Sequence, residues 1–116
     1  MADRLVALLM HSRDQAHVYH LLTTSYAQHK TLGKYYEKIT DLLDDYAEAY
    51  MGRYGRFRKF SVNSRLNKDP RKSPVYFKSL VAKIRRIRLP RDPYLKNILD
   101  EIIGQIRRTQ YMLTLR

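Results

Sequence analysis

The chain has 116 residues, enough for one hydrophobic core and small enough that association between copies would add to its stability. A hydrophobic share of 44%, with only four Gly and four Pro, excludes a disordered chain, and the absence of Cys excludes disulfides and thiolate metal sites. The net charge of +12 is unevenly placed. Residues 1–52 hold five Lys/Arg against seven Asp/Glu, residues 53–91 hold fourteen against one, and residues 92–116 hold four against three. A field concentrated in the middle third attracts polyanions, an acidic protein or an anionic surface, and weakens with salt.

The first predicted helix runs from Asp3 to about Leu22, because Leu5, Leu8, Leu9, Ala16, Tyr19 and Leu22 recur at helical intervals. Its apolar run from Leu5 to Met10 is too short to span a membrane and lacks a cleavage site, so neither a membrane anchor nor a secretion signal is expected. Thr23-Thr24-Ser25 breaks the pattern, and Ser25 with Gln28 has the form of a capping box. The second helix is predicted to about Met51, on the stripe Leu32, Tyr36, Ile39, Leu43, Tyr46 and Tyr50, with Gly52 and Gly55 as the stop and Gly33 as a weak spot.

Residues 53–72 lack periodicity and read as a long basic connection containing at most a helical turn. Ser73-Pro74 then opens a third helix carrying Phe77, Leu80, Val81, Ile84 and Ile87, which Pro90 ends. Asp92-Pro93 opens a fourth, with Leu95, Ile98, Leu99, Ile102, Ile103, Ile106 and Leu113 on its apolar face. Connections that run short, long, short predict an all-α, ferritin-like four-helix bundle over 1–116, made of a helix pair (1–52), a basic crossover (53–72) and a second pair (73–116).

The second helix has another face. Asp41, Asp44 and Glu48 fall at i, i+3 and i+7, while His17, His20 and His29 gather at the end of helix 1 and the start of helix 2. Imidazole and carboxylate together suit Fe(II), Mn(II) and Zn(II). The order and spacing of Gln15-Ala16-His17, His29 and Asp41-Leu42-Leu43-Asp44-Asp45-Tyr46-Ala47-Glu48 resemble the ferroxidase signature of the Dps miniferritins (DNA-binding protein from starved cells), over roughly residues 10–55, and are also similar to small phage-encoded ferritin-like proteins. The resemblance implies that His17 and His29 of one subunit, with Asp44 and Glu48 of its two-fold partner, hold iron at a dimer interface, with Asp41 as an accessory acid. It implies Fe(II) oxidation by peroxide or oxygen, a homodimer or larger homo-oligomer, and a cytoplasmic setting in a bacterial or phage-infected cell, or a place in the virion. The Trp and Gly that follow the first His in that family are replaced by Val18 and the Thr23-Thr24 region. His11 and His20 are read as solvated or capping residues. Tyr35, Tyr36, Tyr46, Tyr50 and Tyr54 are read as packing.

In the basic segment Arg53, Arg56, Arg58 and Lys59 alternate with Tyr54, Phe57 and Phe60, a pattern that can neutralise phosphates and stack on bases. Arg65, Arg71, Lys72, Arg85, Arg86 and Arg88 extend the candidate nucleic-acid surface into helix 3. No base-reading motif accompanies them, so sequence-independent phosphate contact is the expectation. Two functions fit: a Dps-like protein that binds iron at a subunit interface and nucleic acid through its basic segment, or a non-catalytic phage structural or host-interaction module whose basic surface meets nucleic acid or an acidic protein. A Gly-rich phosphate loop or a nucleophile paired with a base is not found.

Overall fold

The computed structural model describes residues 1–115, and among them every regular element is helical. Helix α1 spans Ala2–Leu22, α2 Tyr26–Tyr54, α3 Ser73–Arg85 and α4 Pro93–Met112, with a 3-10 turn at Pro70–Lys72 leading directly into α3. At 1.5 Å per residue α2 is about 43 Å long, which matches the longest dimension of the molecule, 43 Å. It packs against α1 on one side and α4 on the other, and α3 closes the ring against α1 and α4.

The core draws on all four helices: Leu5, Leu9 and Tyr19 from α1, Leu32, Tyr35, Ile39 and Tyr46 from α2, Phe77 and Ile84 from α3, and Leu95, Ile102 and Ile106 from α4. Each aliphatic side chain so buried contributes about 1.5–3 kcal/mol. Leu22, expected on the buried stripe, is instead half-exposed because α1 ends there.

Boundaries differ from the sequence reading in three places. Gly52 lies inside α2, and the stop is Gly55, whose φ of 95° is one that other residues rarely adopt. Ser25 caps α2 by accepting the Gln28 N–H at 3.2 Å, but the Gln28 side chain does not complete the box. It donates instead to the Pro70 carbonyl (3.1 Å) and the Ser73 hydroxyl (3.0 Å), fastening the start of α3 beside the start of α2. Finally, α3 ends at Arg85, so Arg86, Ile87 and Arg88 belong to the connection to α4 and not to the helix.

Since α3 begins where α2 begins, the crossover must travel the length of the bundle. It does so along α1. The buried Gln15 amide accepts the Asn67 N–H (2.6 Å) and donates to the Asn67 carbonyl (2.7 Å), while Tyr19 donates to the Asn67 side chain (3.3 Å). His11 donates from Nε2 to the Arg65 carbonyl (2.6 Å) and accepts the Tyr76 hydroxyl at Nδ1 (2.8 Å). A carbonyl only accepts, so this pairing sets the neutral tautomer of His11. His11 is therefore a clamp, not a solvated residue.

Candidate nucleic-acid interface and histidine cluster

All ten basic residues singled out in the sequence are exposed: Arg53, Arg56, Arg58, Lys59, Arg65, Arg71, Lys72, Arg85, Arg86 and Arg88. Among the described residues only two of them have an acidic partner, Arg71 with Asp69 at 3.0 Å and Arg53 with Asp92 at 3.5 Å. The other eight face solvent with unneutralised charge, the condition under which a polyanion gains most from contact. The interleaved aromatics divide. Phe57 folds back against the core and stacks on Tyr50 (5.3 Å), whereas Phe60 and Tyr54 stay 43% and 45% exposed. Arg53 lies over the Tyr54 ring at 4.6 Å, and the Tyr54 hydroxyl donates to Asp92. That hydrogen bond holds the Asp92 carboxyl below the usual carboxylate range, helped by the charge of Arg53, and raises the Tyr54 phenol against the opposing pull of the same guanidinium.

The histidines meet where α1 turns into α2. His20 and His29 stack face to face at 3.7 Å and bond reciprocally, His20 Nδ1 to the His29 carbonyl (2.6 Å) and His29 Nδ1 to the His20 carbonyl (2.8 Å). Each Nδ1 must carry the hydrogen, so each Nε2 carries the lone pair in the neutral ring. Gly33 makes room for the pair, since a Cβ there would stand 3.0 Å from His20 Cε1. The weak spot in the sequence is thus a site of close approach. His20 is part of this lock and neither solvated nor a cap. His17 is exposed and stacks on Tyr36 at 4.4 Å.

The carboxylates lie elsewhere. Asp44 and Glu48 follow Tyr36 by eight and twelve residues, about 12 and 18 Å along the axis of α2, and both are exposed. Within one chain the described residues form no group of three or more His, Asp or Glu able to hold a metal ion. His17 and His29 are brought to one end of the α1–α2 pair, Asp41, Asp44 and Glu48 to its middle, and only a second copy can bring the two sets together.

The outer face of α2 carries a further pattern that periodicity did not reveal. Lys30, Lys34 and Lys38 occupy its first half and Asp41, Asp44, Asp45 and Glu48 its second, all exposed and, among the described residues, without an ion pair. The i,i+4 pairs Lys30/Lys34, Lys34/Lys38, Glu37/Asp41, Asp41/Asp45 and Asp44/Glu48 are all like-charged, and the order opposes the helix dipole. An antiparallel copy of the same helix would set Lys34 against Asp45 and Lys38 against Asp41 in both directions at once.

The architecture and surface define a small all-helical protein with a strongly cationic crossover. Residues 20–113 match DUF5856, a family of unknown function, and the chain belongs to that family. It is also similar to the uncharacterized 14.6 kDa protein of the mobD-ri intergenic region of Enterobacteria phage T4, with 28% identity over 114 residues, covering 98% of this chain and 88% of the relative. No solved structure matches. Among the described residues no helix is long and apolar enough to cross a membrane.

Proposed function

We propose that this is a phage-associated, ferritin-like helical protein that binds nucleic acid through its crossover, the C-terminal end of α3 and the start of the connection to α4, holding phosphates without reading sequence. The observation that carries this reading is the exposure of all ten candidate cations, eight of them unpaired. The test is binding to labelled oligonucleotides over a range of salt. With Arg56, Arg58 and Lys59 each changed to Glu, affinity should fall and the slope of log K against log salt should flatten by roughly 2 to 3 units, about 0.7–0.9 per lost phosphate contact. Equal affinity of wild type and variant would sink the proposal and leave an acidic protein as the partner to seek.

A second reading, Fe(II) oxidation between two subunits, has two supports. The charge order on α2 suits an antiparallel pair, and that pairing carries Asp44 and Glu48 of the partner subunit toward the His17/His29 end. His29, moreover, donates Nδ1–H to a backbone carbonyl and leaves Nε2 free, the orientation a ligating imidazole requires. Fe(II) is the substrate here, and the residues named hold and orient it. Saturable Fe(II) binding and rapid oxidation on peroxide addition, both lost in Asp44→Ala with the bundle intact, are expected. Oxidation no faster than in buffer would leave nucleic-acid binding as the function.

A further inference from the structure

The crossover, α3 and the first turns of α1 enclose a cleft of about 420 Å³, within the size range of small-ligand sites. Three cations from three different elements line it: Arg4 of α1, Lys59 of the crossover and Lys83 of α3. All three are exposed and, among the described residues, lack an acidic partner. The carboxylate that also lines it, Asp3, is engaged by the amino group of Met1. The cleft therefore presents net positive charge to whatever enters.

Its other surfaces are those an aromatic heterocycle needs. Phe60 stands at the wall, 43% exposed, and meets Phe57 edge to face at 6.0 Å, while Leu8 and Leu80 add apolar surface. Asn63 accepts the Arg65 N–H through its side-chain oxygen (3.0 Å), an arrangement that leaves its amide N–H groups for an acceptor. The site is also pre-formed. His11 and Tyr76 line it, and their hydrogen bond, with that from His11 to Arg65, holds the crossover at its distance from α3. A cleft already shaped in the free protein avoids part of the ordering cost of binding.

We propose that this cleft seats one nucleotide of a single-stranded nucleic acid, its base against Phe60 and Asn63 and its flanking phosphates on Arg4, Lys59 and Lys83. This rests on the nucleic-acid reading above and sharpens it to a substrate class. A base stacked in a duplex cannot enter such a cleft, so the rest of the basic surface binds either form, and the cleft adds a preference for single strands.

The experiment measures fluorescence anisotropy of a labelled oligothymidylate and of a duplex of equal length, with the full chain and the variants Phe60→Ala, Phe60→Trp and Arg4→Ala/Lys83→Ala. Phe60→Ala should weaken single-strand binding by about 5- to 150-fold, the contribution of one stacked base, and leave duplex binding and the helical circular dichroism unchanged. Phe60→Trp should retain wild-type affinity, and Arg4→Ala/Lys83→Ala should flatten the single-strand salt slope by about 1.4. If wild type binds both probes and Phe60→Ala changes neither, or weakens both equally, the cleft is not a nucleotide seat and the nucleic-acid reading stands. If wild type binds neither probe, both fall together.

Discussion

Replacing Gly33 by Ala sets two effects of known size against each other. Alanine is favoured over glycine inside a helix by about 1 kcal/mol, and Gly33 is well within α2. The new Cβ, however, would lie 3.0 Å from Cε1 and 3.2 Å from Nδ1 of His20. That ring cannot swing away freely, because it is stacked on His29 and bonded to the His29 carbonyl. Displacing it gives up the N–H···O bond from His20 Nδ1, about 0.5–1.5 kcal/mol, and the stack on His29, about 0.5–1.5 kcal/mol more. The balance is a destabilisation of about 1 kcal/mol in the wild type. In a His20→Ala background the obstacle is gone, and Gly33→Ala should stabilise by about 1 kcal/mol, a coupling of about 2 kcal/mol. Urea denaturation of the four proteins, followed by circular dichroism, closes the cycle. A Gly33→Ala effect of the same sign and size in both backgrounds would refute the reasoning, and Gly33 would then be no more than a poor helix former.

Three further outcomes are expected. The Tyr46 hydroxyl is buried without a hydrogen-bond partner, and burial pushes its phenol up to about 12, so Tyr46→Phe should raise stability by about 1 kcal/mol or more in the same assay; a loss would mean that a water satisfies it. Gln15→Ala removes both bonds to Asn67 and should cost about 1–3 kcal/mol while speeding amide exchange at Asn67; unchanged exchange there would show that Gln15 does not fasten the crossover. Asp92 has a folded pKa below its unfolded value of 3.8, so its contribution is present above pH 3.8 and lost as the pH falls through the folded pKa. Tyr54→Phe should bring the Asp92 titration, followed by NMR, back up toward 3.8, and an unmoved titration would remove Tyr54 as the cause.

The helices were legible because their apolar residues obey one period, and because Ser25, Pro74 and Pro93 mark starts by local chemistry alone. Gly52 misled because a glycine with open space around it is tolerated in a helix, whereas Gly55 carries the positive φ. Long-range pairings were not legible. Nothing in the spacing of Gln15 and Asn67, or of His11, Arg65 and Tyr76, announces that they meet, since the crossover has no period to give its register. For the same reason the ten cations could be read as exposed from composition, but the cleft formed by Arg4, Lys59 and Lys83 could not. The histidines were grouped correctly at one end of the helix pair, yet the mutual lock of His20 and His29 depends on Gly33, which periodicity marked only as a defect.

The crossover is fastened to the bundle through Arg65, Asn67 and Pro70, and among the described residues no hydrogen bond joins 56–58 to the rest. The Phe57 ring nevertheless holds that stretch to the bundle, stacked on Tyr50 against the core, while Arg56 and Arg58 on either side of it stay exposed. Charge and packing therefore alternate residue by residue within one short stretch. Changing the charge at Arg56 or Arg58 should therefore alter the outward field of the molecule while the ring between them keeps the chain on the bundle.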